Sequence, residues 1–183
     1  MKARFIKSFV IVVTLAASVA CGQSISPAIQ AKIDARVRDL AAWAADPAVV
    51  EAVRSHNAAL PAEHAALNQD KWRALTVLDP IVRGFSKNNA ALALKAKKDD
   101  AVAEIFLSDA AGLKVAFLAK TSNWSHKGKD KHDVPMTGKP WQGQVELDES
   151  TGQQQVQVAV PVLDGGKPIG SLVVGLSLAK LGA

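Results

Sequence analysis

The sequence has 183 residues, a formal net charge of +5 and one cysteine, Cys21, so a disulfide within the chain is excluded. Lys2, Arg4 and Lys7 lie in the first 20 residues, which contain no acidic residue. Without that stretch the net charge is +2 (5 minus 3), which is too small to favour a nucleic-acid-binding protein.

Residues 1–20 predict a secretory signal peptide. They begin with basic residues, continue with an apolar stretch from Phe9 to Ala17 and end in small residues. The apolar stretch is too short for a good membrane span. We therefore expect a periplasmic or secreted protein.

Cys21 directly follows the predicted cleavage site, and two interpretations remain open. It is either lipidated after cleavage in front of it or an ordinary residue near a conventional cleavage site. Ser18 differs from the branched apolar residue that usually stands three positions before a lipidated cysteine, whereas an oxidising compartment disfavours a free thiol. Residues 21–30 are predicted to form a short linker, with Cys21 as the candidate lipid anchor.

The remaining chain predicts one domain over residues 31–183, with helices in its first half. Apolar residues at three- and four-residue spacing predict a long helix over residues 29–44. A second helix is expected from Pro47 to residue 60, and a third over residues 67–78. Residues 81–94 predict a turn at Gly84 and another short helix.

Strands are predicted in the second half. Residues 104–108 and 113–118 form one pair around a turn, and residues 144–147 form a further strand. Residues 153–181 predict a hairpin that reverses at Asp164-Gly165-Gly166. The pattern predicts an α+β fold, with about five antiparallel strands in a sheet and the helices on one side of it.

A long polar segment, residues 121–142, separates the two groups of strands, and we call it the crossover. It contains several lysines, two histidines and two tryptophans. A compact domain rarely keeps such a long loop without a functional use. Lys127, Lys129 and Lys131 alternate in it; such a patch could attract an anion, but a solvated loop explains it more simply.

Three stretches resemble the extracytoplasmic PAS-like sensor domains called Cache or PDC, in particular small secreted single-domain members. They are EIFLSDAAGLKVA, KTSNW and QVQVAVPVLDGGKPIGSLVVGLSLAKL. The resemblance covers the chain from about Ala31 to Leu181. It implies a PAS-like sheet with a long N-terminal helix and a pocket, formed by the sheet and the crossover, for a small ligand such as an amino acid or an organic acid.

The chain departs from that family in two ways. Trp124 is followed by the basic residues 125–132, where relatives usually carry aromatic and acidic residues, and this favours an anionic metabolite over an amine. No membrane span, kinase or other output segment follows Leu181. We therefore expect a sensor domain without its own output module, read by a membrane receptor or another sensor protein, with a homodimer as a further candidate.

The candidate ligand-binding residues lie on the predicted strands and along the crossover. Trp124 and Trp141 would be pocket walls, or they would simply cover the sheet. Ser122 and Asn123 would donate to a ligand carboxylate, or they would close a turn. The full set is Phe106, Phe117, Ser122, Asn123, Trp124, Lys139 and Trp141.

Catalysis, metal binding and cofactor binding are not predicted. His126 and His132 lie near Asp130 and Asp133, but their spacing matches no established metal-ligand pattern. There is no Gly-x-Ser-x-Gly motif and no phosphate-binding glycine loop. The alternative to a sensor is an envelope lipoprotein with a structural or interaction role, in which the PAS-like sheet is a scaffold without a ligand.

Overall fold

A computed structural model describes residues 25–147 and 153–182. The predicted signal peptide and Cys21 lie outside the described residues. Within these two ranges no helix combines the length and the apolar character needed to cross a bilayer.

Helices make up most of the first half of the chain. Ser26 caps the first helix, because its Oγ accepts a hydrogen bond from Ile29 N at 3.3 Å, and Asp46 caps the second through Ala48 N at 2.9 Å. A short 3-10 turn, Pro135–Thr137, lies in the crossover. The described helices are α1 (Pro27–Ala44), α2 (Pro47–Ala58), α3 (Ala62–Ala65), α4 (Gln69–Ala74), α5 (Pro80–Lys87), α6 (Asn89–Lys97), α7 (Asp130–Asp133) and α8 (Leu178–Gly182).

The helices between residues 67 and 97 differ from the prediction. The expected third helix stops at Ala74, because Thr76 donates hydrogen bonds from its backbone N and its Oγ1 to the Asp79 carboxylate and forms a turn instead. The predicted turn at Gly84 was wrong. Gly84 lies inside α5, on the exposed side, while Val82 and Phe85 bury the opposite side and hold the helix in place.

The sheet contains five antiparallel strands in the order β2-β1-β5-β4-β3, which confirms the predicted α+β, PAS-like fold. The β4–β5 hairpin turns at Gly165 and Gly166, whose φ angles of 56° and 83° favour glycine. The strands are β1 (Val102–Asp109), β2 (Lys114–Phe117), β3 (Trp141–Leu147), β4 (Gln154–Asp164) and β5 (Lys167–Ser177).

The two faces of the sheet have different partners. The first face carries alternate valines and leucines of β4 and β5, which pack against α1, α2 and α6. The second face carries Phe106, Phe117 and Val173, which pack against side chains of α4, α5 and the crossover. The helices therefore lie on both faces and not on one as predicted. Buried polar side chains lie on the second face, beneath the crossover.

Candidate functional site

Two rows of side chains cross the second face of the sheet. Ser108 on β1 is the Cα partner of Ser171 on β5 and of Lys114 on β2, and we call these three residues the hydroxyl row. Phe106 lies two residues before Ser108 on β1 and is the Cα partner of Val173 and Phe117. These three residues form an apolar row. Residues two apart on a strand share a face, so the two rows are neighbours.

Lys114 is a completely buried cation in the hydroxyl row. Its Nζ donates a hydrogen bond to His126 Nδ1 and lies 4.4 Å from the centre of the Phe106 ring. Among the described residues it forms no ion pair. Burial lowers the pKa of Lys114 to about 7, against the weaker opposing effect of Glu104.

His126 covers Lys114 from the crossover. Its ring stacks on Phe106 with centroids 4.5 Å apart, and its backbone N donates to Gly112 O at 2.9 Å. Burial, followed by the nearby Lys114, lowers the pKa of His126 to about 3. The imidazole is therefore neutral at physiological pH and supplies an acceptor, but no charge, to the lysine.

The two serines of the hydroxyl row differ in their bonding. Ser171 Oγ lies 2.8 Å from His132 Nδ1. Burial lowers the pKa of His132, so this ring is held neutral. Ser108 Oγ is buried and has no hydrogen-bond partner within the described part of the chain. A buried hydroxyl without a partner is costly, and a ligand is one way to satisfy it.

A second cation approaches the apolar row from the crossover. Lys131, on α7, donates from Nζ to Gln157 Oε1 at 2.7 Å and lies 5.9 Å from the centre of the Phe106 ring. Gln157 Nε2 in turn donates to Glu104 Oε2 at 2.9 Å. Because α7 places Lys131 and His132 side by side, the crossover reaches both rows at once.

An aromatic cluster borders the site at the β2 edge. Trp72 and Phe85 contact Phe117 with ring centroids 5.9 and 5.5 Å apart, and Trp124 lies 5.3 Å from Trp72. Trp72 Nε1 donates to Thr121 O at 2.8 Å, so this indole is buried without an unsatisfied donor. We call Trp72, Phe85, Phe117 and Trp124 the aromatic cluster.

The structure brings some of the residues predicted from the sequence to this face. Phe106 and Phe117 lie in the apolar row, and Trp124 lies in the aromatic cluster. Trp141, which is half-buried, lies at the opposite edge on β3 as the partner of Ala159, and packs against the same hydrophobic core.

The other predicted residues lie away from the two rows. Ser122 and Lys139 are exposed, and Asn123 is half-buried. The carbonyl of Ser122 accepts from Gln69 Nε2 at 2.9 Å, and the carbonyl of Asn123 accepts from Thr121 Oγ1 at 3.0 Å. Their described hydrogen bonds are thus backbone contacts that hold the start of the crossover. A ligand-binding role for Ser122, Asn123 and Lys139 stays a prediction.

Sequence reasoning left the polar residues that the fold gathers at the site out of the candidate ligand-binding set, although it considered Lys131 in an anion-attracting patch and His126 and His132 as metal ligands. The gathered polar residues are Ser108, Lys114, His126, Lys131, His132 and Ser171. One local signal existed: Lys114 interrupts the apolar stretch LKVAFL, and a charged residue inside a buried strand needs an explanation. Ser108 and Ser171 are also buried polar residues in largely apolar strands.

A buried amine and an unsatisfied hydroxyl belong to the Cα partners Lys114 and Ser108, next to two imidazoles whose pKa values are lowered. An anion would favour the protonated lysine and would accept from the hydroxyl. In the described ranges no group of three or more histidine, cysteine or carboxylate side chains has the arrangement of a metal site.

No protein-family model matches the chain, and no curated protein matches it either. Several solved structures are similar to it. The sensor domain of the V. cholerae histidine kinase DctB is 17% identical over 84% of this chain and 53% of that chain, with a TM-score of 0.49. The ligand-binding domain of the Pseudomonas aeruginosa PAO1 amino acid chemoreceptor PctC, in complex with GABA, is 15% identical over 84% of this chain and 56% of that chain, with a TM-score of 0.47.

A third similar structure is the sensory domain of the Campylobacter jejuni chemoreceptor Tlp3 with isoleucine bound, at 16% identity over 86% of this chain and 66% of that chain, with a TM-score of 0.43. The chain spans a little more than half the length of the DctB and PctC chains.

Proposed function

We propose that this chain is an extracytoplasmic sensor domain that binds a small anionic metabolite between the second face of the sheet and the crossover. The observation that supports this most directly is Lys114, a buried amine without an ion pair among the described residues, next to the unsatisfied Ser108 hydroxyl. A fold keeps such a costly pair only where it has a use. Catalysis is no part of the proposal.

The ligand would place a carboxylate or similar group on the hydroxyl row. Lys114 would donate to it as an ammonium, and Ser108 would donate its free hydroxyl. Phe106 would support the adjacent part of the ligand, and the aromatic cluster would favour an apolar group there.

The crossover would act as the mobile cover of this site. His126 and Lys131 reach the sheet from it, and their side chains would have to adjust when an anion contacts Lys114. A ligand that binds one arrangement of the crossover better than another shifts the population towards it. A membrane receptor, another sensor protein or a second copy of the chain would read that shift.

The cellular location of the protein is part of the proposal. A signal peptide over residues 1–20 would direct it to the periplasm, and lipidation at Cys21 would anchor it to a membrane there. Comparing the masses of the wild-type protein and a Cys21→Ala variant, both isolated from cells, tests the anchor.

Thermal-shift screening with amino acids, monocarboxylates and dicarboxylates tests the ligand class. GABA and isoleucine, bound in the PctC and Tlp3 structures, are suitable first compounds. A ligand at a hundred times its dissociation constant stabilises the fold by about 2.7 kcal/mol. Ser108→Ala should reduce this stabilisation, whereas Ser122→Ala, at an exposed serine, should preserve it if only the hydroxyl row binds.

A scaffold without a ligand is the alternative function. The dense aromatic packing around Trp72 would serve either role. If no compound in a broad panel of anions stabilises the protein, and Lys114→Met changes stability alone, the scaffold role is supported and the sensor proposal fails.

A further inference from the structure

The chain between α2 and α4 crosses the aromatic cluster as a strap. This strap, residues 59–68, contains the single-turn helix α3. All its side chains are exposed except those of His64 and Leu67, which are half-buried. A segment with so little buried surface depends on few contacts for its position.

His64 supplies the most specific of these contacts. Its ring stacks on Phe85, with centroids 4.4 Å apart, and meets Trp124 edge-on at 6.2 Å. Its Nδ1 lies 3.0 Å from Nε2 of His56 on α2. The strap is thus joined to the aromatic cluster and to the helical layer through one imidazole.

Asp109 determines which nitrogen carries the proton in this contact. Its Oδ2 lies 2.8 Å from His56 Nδ1, while its Oδ1 accepts from the backbone N of Ala111 and of Leu113. A carboxylate held in this way accepts a hydrogen bond from His56 Nδ1–H, so Nε2 of a neutral His56 is an acceptor. His64 then donates from Nδ1, and a single proton lies between the two rings.

The turn that holds Asp109 also holds the crossover. Gly112 O accepts from His126 N at 2.9 Å, and Gly112 N donates to Asp109 O at 3.0 Å. The contact of the strap and the cover of the hydroxyl row are therefore attached to the same four-residue turn, Asp109–Gly112.

We propose that the strap is a proton-operated gate over the aromatic side of the site: it is closed while one hydrogen lies between His56 Nε2 and His64 Nδ1, and it opens in acid when both of these nitrogens carry hydrogen. With two protons, the facing nitrogens both carry hydrogen and both rings are cationic, so the hydrogen bond is replaced by repulsion. The biological role of the gate depends on the proposed function, whereas its mechanism depends only on the contacts of the strap.

The charges facing His64 determine the direction of the response. His56 opposes a second positive charge, and Glu63 Oε1, 3.9 Å from His64 Nε2, favours it from the exposed side. Asp109 faces the other end of His56. Burial, followed by His56, lowers the pKa of His64, so the closed strap binds this proton less well than the open strap does. Acid therefore favours opening.

Hydrogen exchange of the strap at about pH 7.5 and at about pH 5.5 tests the gate, with each rate corrected for the intrinsic pH dependence of exchange. The amides of Ala65, Ala66 and Leu67, which are hydrogen-bonded within the strap, are the reporters. Opening converts two neutral rings into two cations and so takes up as many as two protons, and protection should fall by up to about a hundredfold per pH unit. Protection of the β4–β5 hairpin should not change.

His64→Phe is the decisive variant, because phenylalanine keeps the stacking on Phe85 but cannot titrate. The acid-dependent loss of protection should disappear in it. The same loss in His64→Phe, or none in the wild type, would overturn the gate. Lys114→Met separates the two proposals: it should abolish stabilisation by ligand while leaving the pH response of the strap intact.

Discussion

Ser108 and Lys114 are Cα partners on neighbouring strands, and each buries a polar group that lacks the partner its chemistry favours. The hydroxyl has no described hydrogen-bond partner, and the amine has a neutral imidazole where a carboxylate would be expected. The anion of the proposed function would satisfy both groups if it bound between them.

Lys114→Met should stabilise the ligand-free protein. Replacing a buried ion pair with apolar side chains of similar volume is neutral or stabilises by about 1–4 kcal/mol, and we expect a gain in that range for this buried amine without an ion pair. The unfolded chain keeps a lysine proton up to about pH 10.4, whereas the folded protein loses it near pH 7, so the wild type should gain stability between these values. The variant should lack that gain.

Chemical denaturation at several pH values measures the free energy of unfolding of both proteins, with the exposed Lys127→Met as the control. A less stable Lys114→Met protein would contradict this account.

Ligand affinity should decrease above pH 7. Lys114 must be protonated to bind an anion, and in the free protein its pKa is about 7. Below this value affinity should not depend on Lys114 titration. Above it the dissociation constant should rise by up to about tenfold per pH unit, because binding takes up a proton. Calorimetry in two buffers with different ionisation enthalpies counts that proton. No proton uptake at pH 8 would exclude Lys114 as the anion-binding group.

Gly112→Ala should disturb the junction between the β1–β2 turn and the crossover. Gly112 and Gly128 both have a φ of 78°, so alanine is strained at either position. At Gly112 an added Cβ would also lie 2.5 Å from Lys127 N, whereas at Gly128 no atom lies within 4 Å. Gly128→Ala is therefore a matched control that isolates the steric contact. We expect Gly112→Ala to cost about 1–3 kcal/mol more, by thermal unfolding. Equal costs would contradict a tight junction.

The two predicted tryptophans should differ in their contribution to folding. Trp124 is buried in the aromatic cluster, so Trp124→Ala should cost about 3–5 kcal/mol of unfolding free energy. Trp141 is half-buried at the β3 edge, and Trp141→Ala should cost roughly half as much. Denaturant titration compares them. If Trp141→Ala leaves folding intact but removes stabilisation by ligand, its predicted binding role is supported; unchanged ligand stabilisation would exclude that role.

Local patterns were sufficient for most of the secondary structure. The apolar spacing before Ala44 predicted α1, and Asp46-Pro47 marked the start of α2, because capping and helix periodicity act over a few residues. Alternating valines and the Asp164-Gly165-Gly166 turn predicted the hairpin. The prediction failed at Gly84, where burial of Val82 and Phe85 outweighs the low helix propensity of glycine.

The sequence alone determined the order of helices and strands and the antiparallel hairpin, since both follow from neighbouring residues. Only the tertiary structure decided which polar groups meet. Ser108, Lys114 and Ser171 form one row because of strand register, including a shift in the β1–β2 pairing between Leu107 and Ser108. His126 and His132 reach that row because the crossover folds back on the sheet. These contacts join residues up to 39 positions apart in the chain, as for His132 and Ser171, and no local pattern encodes such a distance.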